Sequence, residues 1–128
     1  MLEITKRFTF EAAHRLPWHK GKCQQSYGYS YKLEVSALGE LNENDIVLDF
    51  DDLTKLVKEV VIDRYDHKDL NDFFPNPSAE VLAQNFLIDL DLAFKIKGFN
   101  GVISKIRLWE TENCSVLVKN QRYESKSE

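Results

Sequence analysis

In the stretch YSYKLEVSALGEL, Tyr31, Leu33, Val35 and Ala37 share one side of an extended chain, and Lys32, Glu34 and Ser36 share the other. Side chains of a strand alternate between faces, so this pattern commits the segment to a sheet. The N-terminal LEITKRFTF repeats the signal, with Leu2, Ile4, Phe8 and Phe10 available to one face. A chain that opens on two such strands needs further elements to cover their apolar side.

Those elements follow. NEND is turn chemistry, and IVLDF reads as a short strand leading into a helix that Asp51 or Asp52 can cap. Leu53, Leu56, Val57, Val60 and Val61 then fall at helical spacing and form one apolar stripe. RYDHKDLNDFFPNP breaks the pattern and reads as a loop. Asn76 and Pro77 make a cap and first-turn pair for a second helix, whose wide buried face runs from Ala79 to Phe94 until Gly98 stops it. VISKIRLWE and SVLVKN are two more strands. The order strand–strand, helix–helix, strand–strand predicts an α+β layer fold: a four-stranded antiparallel sheet with both helices on one face. The other face stays uncovered. On the order of a few hundred Å² of exposed apolar surface would call for a partner, and self-association is the simplest one.

At 128 residues the chain fits one domain, here residues 1–120, followed by a polar tail at 121–128. A net charge of −4 argues against a general nucleic-acid binder. No apolar run is long enough to span a bilayer, and the N-terminus lacks the apolar core of a signal peptide, so no membrane association and a cytoplasmic location are expected. In that compartment Cys23 and Cys114 are thiols rather than a staple, Cys23 in a lysine-rich polar loop and Cys114 shielded near a strand start.

Four places hold residues that can carry chemistry. His14, in FEAAHRL, is either a hydrogen-bonded turn histidine or a functional one. Cys23 lies beside Lys20 and Lys22, cations that raise the thiolate fraction, although most isolated cysteines are inert. In RYDHKDLN, Asp66 can orient His67 and stabilise its protonated form for acid–base work, provided the adjacent side chains touch. Glu110 ends the apolar strand IRLWE. It is either a solvated terminus or a carboxylate that accepts paired hydrogen bonds from the N–H edge of a guanine-like ring.

The set FTFEAAHRL, the following cysteine loop, IVLDFDDL, YDHKDLN, NPSAEVLAQNF and LWETENCS resembles the 6-pyruvoyl-tetrahydropterin synthases and the bacterial 6-carboxytetrahydropterin synthases of the queuosine pathway. The likeness runs from about Phe8 to Val118. It implies the tunnelling fold, ββααββ, whose trimers close their sheets into a β-barrel and stack as a homohexamer with sites between subunits. It implies a lyase acting on 7,8-dihydroneopterin triphosphate or a close pterin. Cys23 matches the proton-transfer cysteine, and Asp66 and His67 the partner pair from a neighbouring subunit. Glu110, helped by Thr111, matches the anchor of the pterin ring.

His14 matches the first of three histidine ligands to zinc. The other two belong to a His-Gly-His motif four and six residues after the cysteine, where this chain has Tyr27 and Tyr29 around Gly28. A phenol must lose a proton of pKa about 10 before it ligates, so one imidazole and two phenols make a poor zinc site. His19 is the remaining nitrogen close by. The tyrosines could instead hold substrate hydroxyls directly. A metal-free relative that binds a pterin or purine without the family's chemistry is the competing expectation.

Overall fold

The computed structural model describes residues 1–16, 18–19 and 27–121, with Tyr27 described by its backbone alone. The two opening strands form its spine. β1 (Leu2–His14) and β2 (Tyr27–Gly39) pair antiparallel along their whole length, from Leu2 opposite Gly39 to His14 opposite Tyr27. β4 (Val102–Trp109) pairs antiparallel with β2 across a bulge at Ser36 and Ala37, and β5 (Ser115–Lys119) pairs with β4. Phe10, Tyr31, Leu33, Val35, Ile106 and Leu108 face one side of the sheet, as the alternation requires, and are buried.

The expectation of four antiparallel strands needs correction. The loop after the first helix supplies a fifth, two-residue strand, β3 (Lys68–Asp69), parallel to β1 opposite Ala12 and Ala13. The sheet is therefore mixed, in the order β3-β1-β2-β4-β5. Side-chain chemistry docks this segment: Asp66 Oδ1 accepts the backbone N–H of Glu11 at 2.8 Å, and the His67 N–H donates to the Glu11 carbonyl at 2.5 Å.

IVLDF is not a strand. Leu48 turns into the core, and Asp49 rather than Asp51 or Asp52 caps the helix, accepting the Asp51 N–H at 2.8 Å. α1 (Phe50–Val57) runs through a π-helical stretch (Lys58–Ile62) into α2 (Asp63–Tyr65) as one rod. Its buried side carries Leu53, Leu56, Val57, Val60, Val61 and Tyr65. α3 (Ala79–Ile96) covers β4 and β5. Its cap is Ser78, whose hydroxyl accepts the Val81 N–H at 3.2 Å, and not Asn76 as the Asn-Pro pair suggested. Gly98, at φ 81°, ends the helix as expected. Gly101 allows a tight passage, since a Cβ there would stand 2.2 Å from the Leu38 carbonyl oxygen.

Both helical rods lie on one face of the sheet, and the open face is polar rather than apolar. Arg7 pairs with Glu34 at 2.9 Å and Lys105 with Glu3 at 3.0 Å, while the Thr5 and Ser36 hydroxyls stand 2.7 Å apart. The apolar surface expected there is instead on the outside of α3, where Ile88, Leu92 and Ile96 are exposed. Among the described residues no helix is long and apolar enough to cross a membrane. Asn120 is buried and donates to the Ile103 carbonyl at 2.9 Å. Residues 122–128 of the expected tail lie outside the described residues.

Candidate active site

His14 and Tyr29 meet at the end of the sheet where β1 finishes and β2 begins, with Glu110 near enough for its charge to act on Tyr31. Phe10, Ala12 and His14 alternate onto the helix-covered face, and so do their partners across the ladder, which include Tyr31 and Tyr29. The Tyr29 ring lies parallel to the His14 imidazole, centroids 4.5 Å apart and planes inclined by 9°. Tyr31, stacked on Phe10 at 5.0 Å, brings its hydroxyl to 2.6 Å from His14 Nδ1. His14 is thus a buried, hydrogen-bonded residue at the end of β1 rather than in a turn. Burial pushes its pKa down, while the nearby Asp69 carboxylate, brought in by β3, opposes that shift. The Tyr31 phenol is pushed well above its ordinary value by burial first, then by the charge of Glu110 and by Tyr29.

Glu110 stands just past β4, where its N–H donates to the Cys114 carbonyl at 3.0 Å and closes the turn. Its carboxylate is half-buried, and no hydrogen bond or ion pair meets it within the described residues. Burial, with the charge of Glu80 adding, raises its pKa above the ordinary carboxylate range. A buried carboxylate without a donor is costly, and a ligand that brings N–H groups would relieve it. Thr111 is exposed, and its hydroxyl accepts the Asn113 N–H at 3.3 Å, so in the free chain it braces the turn. Cys114 is exposed, which corrects the expectation that it is shielded.

Asp66 and His67 do touch: Asp66 Oδ2 lies 3.0 Å from His67 Nδ1. The Glu11 N–H, and next the His67 ring, hold the Asp66 carboxyl below its ordinary value against a smaller opposing effect of burial. The pair sits at the β3 edge, and His67 is largely exposed. Among the described residues no hydrogen bond or ion pair joins it to His14 or Glu110. The Cys23 assignment lies outside the described residues, as does the side chain of Tyr27, whose backbone pairs with His14.

Zinc can be tested against this donor set. Nδ1 of His14 is engaged by Tyr31, Nε2 is buried without a partner, and the nearest aromatic neighbour offers a ring face. Among the described residues no group of three His, Cys, Asp or Glu side chains stands close enough to hold a metal. The Tyr31 phenol, pushed further from ionisation by burial, does not replace an imidazole as a ligand. The described residues do not fit zinc. Sequence reasoning missed Tyr31, Asp69 and Glu80 as members of the site. Tyr31 was readable, since it continues the alternation of Tyr27 and Tyr29.

Comparison with known proteins agrees with this architecture. The family model described as "6-pyruvoyl tetrahydropterin synthase" matches residues 3–121. The 6-carboxy-5,6,7,8-tetrahydropterin synthase of Haemophilus influenzae is 44% identical over 71 residues, 52% of this chain and 50% of that protein. The 6-pyruvoyl tetrahydrobiopterin synthase of Dictyostelium discoideum is 31% identical over 92% of this chain and 96% of its own. The solved structure of Caenorhabditis elegans 6-pyruvoyl tetrahydropterin synthase shares the fold, with a TM-score of 0.80 at 24% identity over 93% of this chain and 95% of that one. With the sequence match spanning nearly its whole length and the fold in agreement, the chain belongs to the 6-pyruvoyl tetrahydropterin synthase family.

Proposed function

We propose that this chain is a pterin lyase of its family, acting on 7,8-dihydroneopterin triphosphate or a close pterin. The observation that carries the reading is Glu110, a half-buried carboxylate with a raised pKa and no described partner. Its two oxygens suit the paired N–H groups of an aminopyrimidine edge, the strong bidentate form of hydrogen bonding. Thr111 assists from the same turn. Asp66 and His67, already aligned at 3.0 Å, act with Cys23 in moving protons at the substrate side chain as triphosphate leaves.

Asp66 and His67 stand at the β3 edge and Glu110 just past β4, with β1 and β2 between them in the sheet order, which supports a shared site completed when a second copy brings its β3 edge to the first. A homohexamer of two stacked trimers, each closing its sheets into a barrel, meets that need. The polar open face, with its Arg7–Glu34 pair, suits the inside of such a barrel.

A second reading rests on the misfit of the donor set to zinc: a relative that binds the pterin but has lost or changed the metal-assisted step. Turnover of dihydroneopterin triphosphate, followed by chromatography of the pterin products, tests the first reading alongside calorimetry with biopterin. Product formation supports the lyase. Biopterin binding without turnover selects the second reading, and absence of both overturns the pterin site. Light scattering near six times the 14.9 kDa chain mass is expected, and a stable monomer would exclude the shared site.

A further inference from the structure

Among the described residues, His14 Nε2 is the one buried side-chain nitrogen or oxygen without a hydrogen-bond partner. His14 is 1% exposed, and the Tyr31 side chain that holds its other nitrogen is fully buried. Asp69 makes no hydrogen bond to Nε2, and its Oδ1 accepts the Asn71 N–H at 3.0 Å. An unmet polar atom at such depth marks a place where a ligand group or water belongs.

The Tyr31 contact decides what that atom can do. Burial disfavours the charged imidazole more than the nearby Asp69 carboxylate favours it, so the pair is neutral and holds two exchangeable protons, one on the imidazole and one on the phenol. If Nδ1–H donates to the phenol oxygen, the phenol proton must find another acceptor, and among the described residues His14 is the only partner of that hydroxyl. The Nε2 lone pair is then unmet as well. If the phenol donates to Nδ1 instead, a single group is left unmet, an N–H at Nε2. Each unmet buried group is a penalty, so the second arrangement is favoured.

We infer that Tyr31 fixes His14 as the Nε2–H tautomer, which turns a metal-ligand position of the family into a hydrogen-bond donor for a side-chain oxygen of the bound pterin. A ligating histidine must offer the lone pair at the coordinating nitrogen and donate from the other. Here Nδ1 is taken up by the Tyr31 hydroxyl, and the Tyr29 ring covers one face of the imidazole. The donor role extends the pterin reading above, whereas the tautomer stands apart from it.

Full-length protein labelled with 15N-histidine, stripped with a chelator, contains three histidines, and a His14→Asn variant identifies the His14 signals. Multiple-bond NMR is expected to show Nε2 protonated and Nδ1 bare. Tyr31→Phe keeps the ring stacked on Phe10 and removes the donor, so the Nδ1–H form becomes populated. A wild-type Nδ1–H tautomer, or a His14 shift that saturates with stoichiometric zinc, overturns the inference. Calorimetry then compares biopterin with unsubstituted pterin, which lacks the side-chain oxygens. Wild type should prefer biopterin by about 3–10-fold, the worth of one neutral hydrogen bond, and Tyr31→Phe should lose that preference. A preference unchanged in the variant overturns the donor role and leaves the pterin site standing. Failure of both pterins to bind wild type overturns the pterin reading and with it the donor role, and the tautomer is then judged by NMR alone.

Discussion

His67 Nδ1 lies 3.0 Å from the carboxylate of its own neighbour, Asp66, because His67 adopts a left-handed backbone with φ 60°. In an extended chain adjacent side chains diverge to opposite faces. Here the turn is held by two bonds to Glu11, one from each residue, so the pairing of imidazole and carboxylate is built into the way β3 docks on β1.

That geometry separates strain from chemistry. Asn tolerates the left-handed region, so His67→Asn should leave stability within about 0.5 kcal/mol. It removes the acid–base group and should lower turnover by about 10²–10⁴-fold. His67→Val removes the same group but strains the backbone, and should cost about 1–2 kcal/mol more in urea unfolding. Turnover retained in the Asn variant would take His67 out of the proton-transfer set.

Glu110→Gln should act in opposite directions on binding and on stability. Exchanging one acceptor for a donor should weaken biopterin binding by about 1.5–3 kcal/mol in calorimetry. In the folded chain, burial first and Glu80 second hold the Glu110 carboxyl above its ordinary value of 4.5. An acid raised on folding keeps its proton where the unfolded chain has lost it. Stability therefore falls as pH rises from 4.5 through the folded value. The variant should be more stable relative to wild type at pH 7 than at pH 4, by thermal melting. A variant less stable at neutral pH would mean that the carboxylate already has a donor in the free protein.

Periodicity carried the fold furthest where it was long. β2 and the α3 stripe are regular enough that the buried face can be named nearly residue by residue from the sequence, whereas on the expected face of β1 only Phe10 is buried, Ile4 and Phe8 are half-buried and Leu2 is exposed. A two-residue strand has no period to detect, and β3 exists because of the Asp66 side chain and a left-handed residue, neither of which leaves a pattern. The caps moved for a local reason: Asp49 and Ser78 lie within a few residues of equally good candidates, and only the entry path of the chain selects between them. The polarity of the open face was legible in Lys32, Glu34 and Ser36, which already stood on the side that the helices leave bare. At the site, the spacing of His14, Tyr29 and Glu110 was readable. The Tyr31 hydroxyl was not, because a tyrosine on an apolar face looks the same whether its oxygen is used or not.

Exposure of Cys114 changes what thiol chemistry should look like. Both cysteines should react with iodoacetamide in the free protein, Cys114 because it is open to solvent and Cys23 because its lysine neighbours favour the thiolate. Only Cys23 should be protected by biopterin in peptide mapping. Cys114→Ser should leave stability within about 0.5 kcal/mol and turnover unchanged, while Cys23→Ser should lower turnover by at least about 10²-fold. Protection of Cys114 alone would move the site away from the cysteine loop.

Restoring the missing nitrogens tests the metal account directly. Tyr27→His with Tyr29→His would place two imidazoles at the positions that pair with or stack beside His14 in the β1–β2 ladder. Three imidazoles match the ligand number and type that zinc prefers. Coordination through His14 requires Nε2 to give up its proton and Nδ1 to donate to the Tyr31 oxygen, which a hydroxyl can accept. That exchange moves one proton between the ring nitrogens and releases none, but the two introduced imidazoles ligate only as neutral rings, so zinc uptake by the variant should strengthen as pH rises through the histidine range. Mass spectrometry should find about one zinc per variant chain and almost none in wild type, both purified without added metal. Near one zinc per wild-type chain would show that the phenols, or His19, ligate after all. Full wild-type turnover of dihydroneopterin triphosphate without metal would be the more damaging result. It would mean that the donor pair His14 and Tyr31 performs unaided what the restored histidines were meant to supply.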